Sequence, residues 1–222
     1  MKFFKFFKFF IFTTLFLISS FLIGQDASTL LQKIDENIYT LEDIKIDLAN
    51  KEITLPAEVN MDKGIIETIL VGPQGKLHET IFKTSTQPSY IQTSLLLLGL
   101  ESGQNMEPGN FNIKPKGDSL LIYAIWSDSL GKQHTERVER MVWNIPKKRE
   151  MLNTYWIFLG SKIINGQFVA DSEQNIIRTY HDPFTIIHNP LPTNTDDTFY
   201  EVNKSLVPPK GTKIQIIIKK FN

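Results

Sequence analysis

The chain has 222 residues, with 24 basic residues balancing 24 acidic ones, 41% hydrophobic and 11% aromatic residues, and no cysteine. The missing cysteines exclude disulfides, a thiol nucleophile, iron–sulfur ligation and thiolate zinc sites. The balanced charge, with no basic face concentrated along one element, argues against a nucleic-acid partner.

The N-terminus reads as an export signal. Lys2, Lys5 and Lys8 form a positive start without an acid, and Phe9 to Ile23 is an apolar stretch of 15 residues. That length suits a signal core and is short of the ~20 apolar residues of a membrane-spanning helix. Cleavage is expected after Gly24, where the composition turns polar at Gln25. Without cysteine there is no lipid anchor, so a cleaved chain has no membrane attachment of its own. The alternative is an uncleaved anchor. In both cases the lysines hold the N-terminus inside and the remainder is translocated, which predicts a periplasmic or secreted protein. Removing residues 1–24 leaves 21 basic against 24 acidic residues, a formal charge of −3.

Residues 25–43 form a lead segment. Leu30, Leu31, Ile34 and Ile38 fall at helical spacing, which predicts a short helix or entry segment. From Ile44 onward β patterns dominate, and residues 44–220 read as one β-rich domain. Ile44 to Leu48 alternates, Asn50-Lys51 turns the chain, and Glu52 to Val59 is extended. Gly64 to Val71 is a continuous apolar strand. Gly72-Pro73-Gln74-Gly75 is a loop that predicts a hairpin into Leu77 to Lys83.

A helix is expected at about 88–99. Pro88 stands near its start, Tyr90, Ile91, Ser94, Leu95, Leu97 and Leu98 mark its faces, and Gly99 ends it. The four leucines 95–98 predict burial on more than one side.

Gly103 to Lys116 is loop, and Leu120 to Trp126 is a central strand. Glu136 to Trp143 fits either an edge strand or a helix. Tyr155 to Ile164 is strand, and Asn165-Gly166 predicts a two-residue type I′ hairpin into Gln167 to Ala170. Asn175 to Tyr180 is strand, His188 to Val207 is loop, and Thr212 to Lys220 is a half-buried strand. The whole predicts a mainly β fold, an antiparallel sandwich or partly closed barrel with one inserted helix.

No complete catalytic or metal-binding constellation is present. His78-Glu79-Thr80-Ile81-Phe82 lacks the second histidine of a zincin helix, and Gly72 to Lys76 has neither the spacing nor the hydroxyl of a phosphate loop. Histidines 78, 134, 181 and 188 have no metal-ligand spacing, and no cofactor is implied. Asn203-Lys204-Ser205 fits the glycosylation pattern.

Two groups remain as candidate ligand-binding residues. Lys76, His78 and Glu79 follow a loop tip, and Asp171 lies at the next expected hairpin end. Strand alternation would send His78 and Glu79 to opposite faces. An inward Glu79 needs a partner, with Lys76, Arg140 or Arg178 in view. A structural ion pair is favoured over a functional carboxylate, and a turn role is favoured for Asp171.

The ordered motifs Gly64-Ile65-Ile66-Glu67, Gly75-Lys76-Leu77-His78-Glu79 and Leu95 to Leu100 resemble the YdjY-like domain family. Gly117-Asp118, Trp126, Trp156 to Ser161, Ala170-Asp171 and Pro208 to Thr212 continue the match, over roughly residues 45–220. The resemblance implies a bacterial exported protein and brings no activity with it. Family members with cysteine-rich iron–sulfur extensions hint at redox work, and that hint does not carry over to a chain without cysteine. The Lys76, His78 and Glu79 stretch is the family-like place to look for a site.

Three functions compete. The first is a non-catalytic binding module whose partner is an envelope protein or a small ligand. The second is a metal- or carboxylate-dependent hydrolase using His78 with Asp171 or Glu79. The third is a membrane-tethered envelope component that retains its N-terminal segment.

Overall fold

A computed structural model describes residues 30–221. The expected export segment and the expected cleavage after Gly24 lie outside the described residues. Among those described, no helix is long and apolar enough to cross a membrane.

The strands are β1 (Leu31–Lys33), β2 (Ile38–Leu41), β3 (Ile44–Asp47), β4 (Glu52–Val59), β5 (Thr68–Val71) and β6 (Thr80–Lys83). Helix α1 (Pro88–Leu97) follows, then β7 (Ser119–Ser127), β8 (Gln133–Arg137), β9 (Val142–Asn144), β10 (Arg149–Glu150), β11 (Trp156–Phe158), β12 (Ile163–Ile164) and β13 (Gln167–Phe168). A short helix α2 (Val169–Glu173) leads into β14 (Asn175–Arg178), β15 (Ile187–His188), β16 (Tyr200–Val202) and β17 (Lys213–Lys220).

Eight strands close into a barrel in the order β4-β17-β7-β11-β15-β14-β5-β6, with β6 pairing back onto β4. Strands β3, β2 and β1 extend the sheet beyond β4, and β8 flanks β7. Closure leaves none of the eight barrel strands as the end of an open sheet, and the strands of this sheet paired on one side only are the outlying β1 and β8. The mainly β expectation with a barrel and one inserted helix therefore holds. The barrel is mixed, however, because β5–β6 and β14–β15 are parallel.

The parallel β5–β6 pair corrects the expected hairpin. A hairpin needs one reversal, and here the chain reverses twice. Gly75 N–H bonds Gly72 O, then residues 77–79 form a 3-10 turn that sends β6 off in the direction of β5. Gly75 makes the first reversal fit, since a Cβ there would lie 2.7 Å from the Val71 Cβ.

Alternation builds the core. Ile53, Leu55, Ala57 and Val59 of β4, Ile214, Ile216 and Ile218 of β17, and Leu120, Ile122 and Ala124 of β7 point inward. Trp156, Phe82 and Phe158 are the largest fully buried side chains. Each contributes roughly 1.5–3 kcal/mol of burial.

Pro56 sits inside β4 where one edge of the strand changes partner. Glu52 to Thr54 pair with β3 and Glu58 to Val59 pair with β6. A proline fits at that break, where a ladder N–H is dispensable. Thr84 Oγ1 donates to the Pro56 carbonyl at 2.7 Å.

Helix α1 ends as expected. Gly99, at φ +78°, donates to Leu96 O and Leu100 N donates to Leu95 O, a Schellman closure. Its leucines differ from expectation, because Leu95 and Leu98 are buried whereas Leu96 and Leu97 are 47% and 43% exposed. One stripe packs on β3 and β4, and the other faces water.

From Leu30 onward the lead segment forms the hairpin β1–β2, with no helix among its described residues. Leu31 and Ile34 are exposed, so their helical spacing reflects no buried face. Glu136 to Trp143 divides between β8, a 3-10 turn at 138–141 and β9. Asn165 and Gly166 both take positive φ between β12 and β13, as a type I′ turn requires. Four short elements escape the sequence reading, β10, α2, β15 and β16, of which β15 is a barrel strand.

Candidate functional site

Lys76, His78 and Glu79 lie on the 3-10 turn and its flank, so strand alternation does not govern them. The turn points Glu79 inward and His78 outward, with side chains 14% and 79% exposed. His78 Nε2 is 3.6 Å from Glu79 Oε2. Asn60 holds the turn by donating from Nδ2 to Leu77 O and Thr80 O.

Glu79 enters a network centred on Arg178, which β14 projects into the barrel wall with its side chain 4% exposed. Arg178 Nη2 donates to Glu67 Oε2 at 2.6 Å, and Nη1 donates to Thr68 Oγ1 at 3.0 Å and Glu79 Oε1 at 3.4 Å. Lys76 Nζ lies 3.1 Å from Glu79 Oε1 and 3.9 Å from Glu67 Oε2. Asp182 Oδ2 stands 3.7 Å from Arg178 Nε and accepts from Asn175 Nδ2 at 2.8 Å.

Three carboxylates thus face two cations. Burial pushes the Glu67 carboxyl up, and the Arg178 and Lys76 charges only partly oppose it. Burial also acts on Glu79, but there the Lys76 hydrogen bond, backed by the Lys76 and Arg178 charges, wins and holds it below its ordinary value. The pair is therefore split, Glu67 being the carboxyl that takes a proton first and Glu79 the one that stays ionised.

A second polar layer lies behind Arg178. His188 is fully buried, its Nδ1 2.7 Å from Asn189 O and its Nε2 3.2 Å from the Asp182 N–H. The carbonyl requires a donor at Nδ1 and the amide requires an acceptor at Nε2, which assigns the neutral ring. Burial lowers the His188 pKa to about 3. The edge of one ring meets the other between His181 and His188, at 5.9 Å.

Of the sequence-predicted residues, Lys76, His78 and Glu79 come together, and Asp171 does other work. Its Oδ1 accepts the Ser89 N–H at 2.8 Å, at the N-terminus of α1, where Gln87 supplies no side-chain cap. A carboxylate there also suits the helix dipole. Asp171→Ala is expected to destabilise the protein by about 1 kcal/mol, read from urea unfolding. An unchanged midpoint would remove the capping role.

Glu67, Arg178, Asp182 and His188 complete the network. Of these, Arg178 is one of the partners the sequence offered for Glu79, and Arg140 is not, since it pairs with Glu136 and Glu150. Glu67 lay in the apolar run Gly64 to Val71, where a single acid was a usable signal of a paired buried charge. Lys76 and Arg178 both engage Glu79 Oε1, and exposed His78 stands 3.6 Å from Oε2, beyond hydrogen-bonding distance. Among the described residues, no three His, Asp or Glu side chains converge as a metal-holding group.

Three accessible concavities lie elsewhere, on the outer face of β4, β17 and β7. Hollows of about 320, 440 and 520 Å³ all include Pro56 in their walls. The first is lined also by Leu77 of the 3-10 turn, Pro73, Lys83, Ser85 and Lys213. Register places Pro56, Gln215 and Ile125 in one outward row and Thr54, Ile217 and Tyr123 in the next. Ile125, Ile217 and Tyr123 remain half-buried on this face. Glu58, shared by Lys83 and Lys213, borders it.

A family model described as the YdjY domain matches residues 44–219. No curated protein and no solved structure matches the chain. The matched span begins at β3 and ends within β17, and it takes in the closed barrel, α1 and the whole Arg178 network. This chain belongs to the YdjY domain family.

Proposed function

We propose that the protein is an exported, non-catalytic binding module of the bacterial envelope that engages a protein or small ligand on the Pro56 face. The observation that carries this reading is that three hollows share Pro56 in their walls, with half-buried Ile125 and Ile217 among polar neighbours in two of them. A concave, largely apolar surface with a few polar groups at its border is the usual form of a ligand site. The charged residues near it support binding over catalysis, because Glu79 and Glu67 are engaged by Lys76 and Arg178. The export element of the reading rests on the positive, apolar N-terminal sequence.

A photo-crosslinking amino acid at Gln215, introduced in the native host, tests the face. The expected result is a discrete adduct from Gln215 and from Ser85, and none from exposed Glu173 on α2. The same adducts from all three positions, or none from the Pro56 face, would overturn the binding reading. Cell fractionation with intact-mass analysis tests export separately. The expected chain starts at Gln25 and leaves the cytoplasm, and a full-length cytoplasmic chain overturns that element alone.

A further inference from the structure

The small sheet β10-β9-β16 carries a second site, distinct from the Pro56 face. Val142 and Asn144 point inward, which leaves Trp143 on the outward side of β9. Register puts Glu150 directly across from Trp143 on one flank and Glu201 on the other. Directly opposed residues on neighbouring antiparallel strands share a face, with Cβ atoms about 5 Å apart. Trp143 therefore stands between two carboxylate-bearing residues on one face of the sheet.

The two carboxylates differ. Glu150 accepts from Arg140 Nε at 3.3 Å, and Arg140 is also held by Glu136 at 2.5 Å. Glu201 makes no side-chain hydrogen bond or ion pair among the described residues. It lines a hollow of about 400 Å³ together with Trp143, Val202, Asn203, Lys204 and Ser205.

The floor of that hollow is built rather than loose. Asn203 is buried, donates from Nδ2 to Arg140 O at 2.8 Å, and accepts from Ser205 Oγ at 2.6 Å. These bonds fix the turn that presents Glu201 and Lys204. They also engage the amide that the Asn-x-Ser pattern would offer to a glycosyl donor.

An aromatic face beside an unpaired carboxylate suits a soft organic cation. The ring quadrupole attracts the charge, and the carboxylate neutralises it. Lys204 on the rim, with Lys147, Lys148 and Arg149 at the end of the β9–β10 hairpin, disfavours a polycation. We infer that Trp143 and Glu201 form a binding site for a single organic cation, an alkylammonium or guanidinium group. Two sources share that chemistry, a choline-type headgroup and the side chain of a lysine or arginine in a peptide.

The test follows the indole N–H signals of uniformly 15N-labelled protein, which has three tryptophans, 126, 143 and 156. The probes are choline and N-acetyl-arginine amide, each against its neutral counterpart, 3,3-dimethylbutanol and N-acetyl-citrulline amide. A saturable shift of the Trp143 signal is expected with at least one cation, and its neutral counterpart is expected to bind at least about fivefold more weakly. Glu201→Gln is expected to weaken the cation about fivefold as well, leaving the other two indole signals in place to show an intact fold. The cation that binds more tightly identifies the source. Equal binding of charged and neutral probes, no effect of Glu201→Gln, or a shift at Trp126 in place of Trp143 would each overturn the site.

Discussion

Arg178→Met is expected to destabilise the protein by about 3–5 kcal/mol, as breaking a buried ion pair from one side does. Methionine fills similar space, so the cost comes from charge. Glu67, Glu79 and Asp182 would keep their burial and lose the guanidinium that two of them touch within hydrogen-bonding distance. Lys76 alone would then face the Glu67 and Glu79 carboxylates. Urea unfolding at pH 7 measures the loss. A triple variant, Arg178→Met with Glu67→Gln and Glu79→Gln, is expected to recover a large part of it, because neutral side chains no longer demand a counter-charge. A loss below about 1 kcal/mol in the single variant, the range of an exposed pair, would show that Arg178 is not the centre of the network.

Stability is expected to fall by about 2 kcal/mol between pH 7 and pH 5 on account of His188 alone. Only the neutral ring can both donate to Asn189 O and accept from Asp182 N–H. The folded pKa is lowered from 6.5 to about 3 by burial. As the pH falls below 6.5, the unfolded chain therefore binds this proton first. The contribution is complete above pH 6.5 and drains away as the pH approaches 3. Glu67 acts with the opposite sign in the carboxylate range, since its raised value lets the folded state take a proton before the unfolded one. Comparing unfolding free energies at pH 7 and pH 5 for the wild type and His188→Gln isolates the histidine. The variant is expected to start lower and to lose about 2 kcal/mol less over that interval. Parallel losses in the two proteins would rule out His188 as the source.

These two residues also mark where sequence reasoning stopped. Glu79 was legible as an inward acid in need of a cation, because it falls between apolar Leu77 and Ile81 and a buried charge demands a partner. Lys76 and Arg178 were both among the partners considered, and both serve. Glu67 was not in view as a partner, because it reaches Arg178 across more than a hundred residues, and Asp182 and His188, close to Arg178 in sequence, lie in a stretch without a periodic pattern. His78 and Glu79 were assigned to a strand, and the 3-10 turn that stands there instead still sends Glu79 inward and His78 outward. Asp171 was read as a turn residue from its type. Its role as a cap for α1 needed Ser89, 82 positions away, to be seen beside it.

The sequence by itself determined the local and periodic features. Alternation in β4, β7 and β17 placed the core, Gly99 ended α1, and Asn165-Gly166 formed the type I′ turn, because each depends on side-chain periodicity or on backbone angles that few residues accept. It also determined that a cysteine-free chain must be held by its core. Only the tertiary structure decided that the sheet closes, that β5–β6 and β14–β15 run parallel, and that the lead segment is a hairpin. A second reversal between two strands leaves no periodic trace, and closure depends on β6 meeting β4. The Pro56 hollows, the Arg178 network and the Trp143–Glu201 flank arise from register between strands distant in sequence. Register is set by how the whole barrel packs, and no single segment carries it.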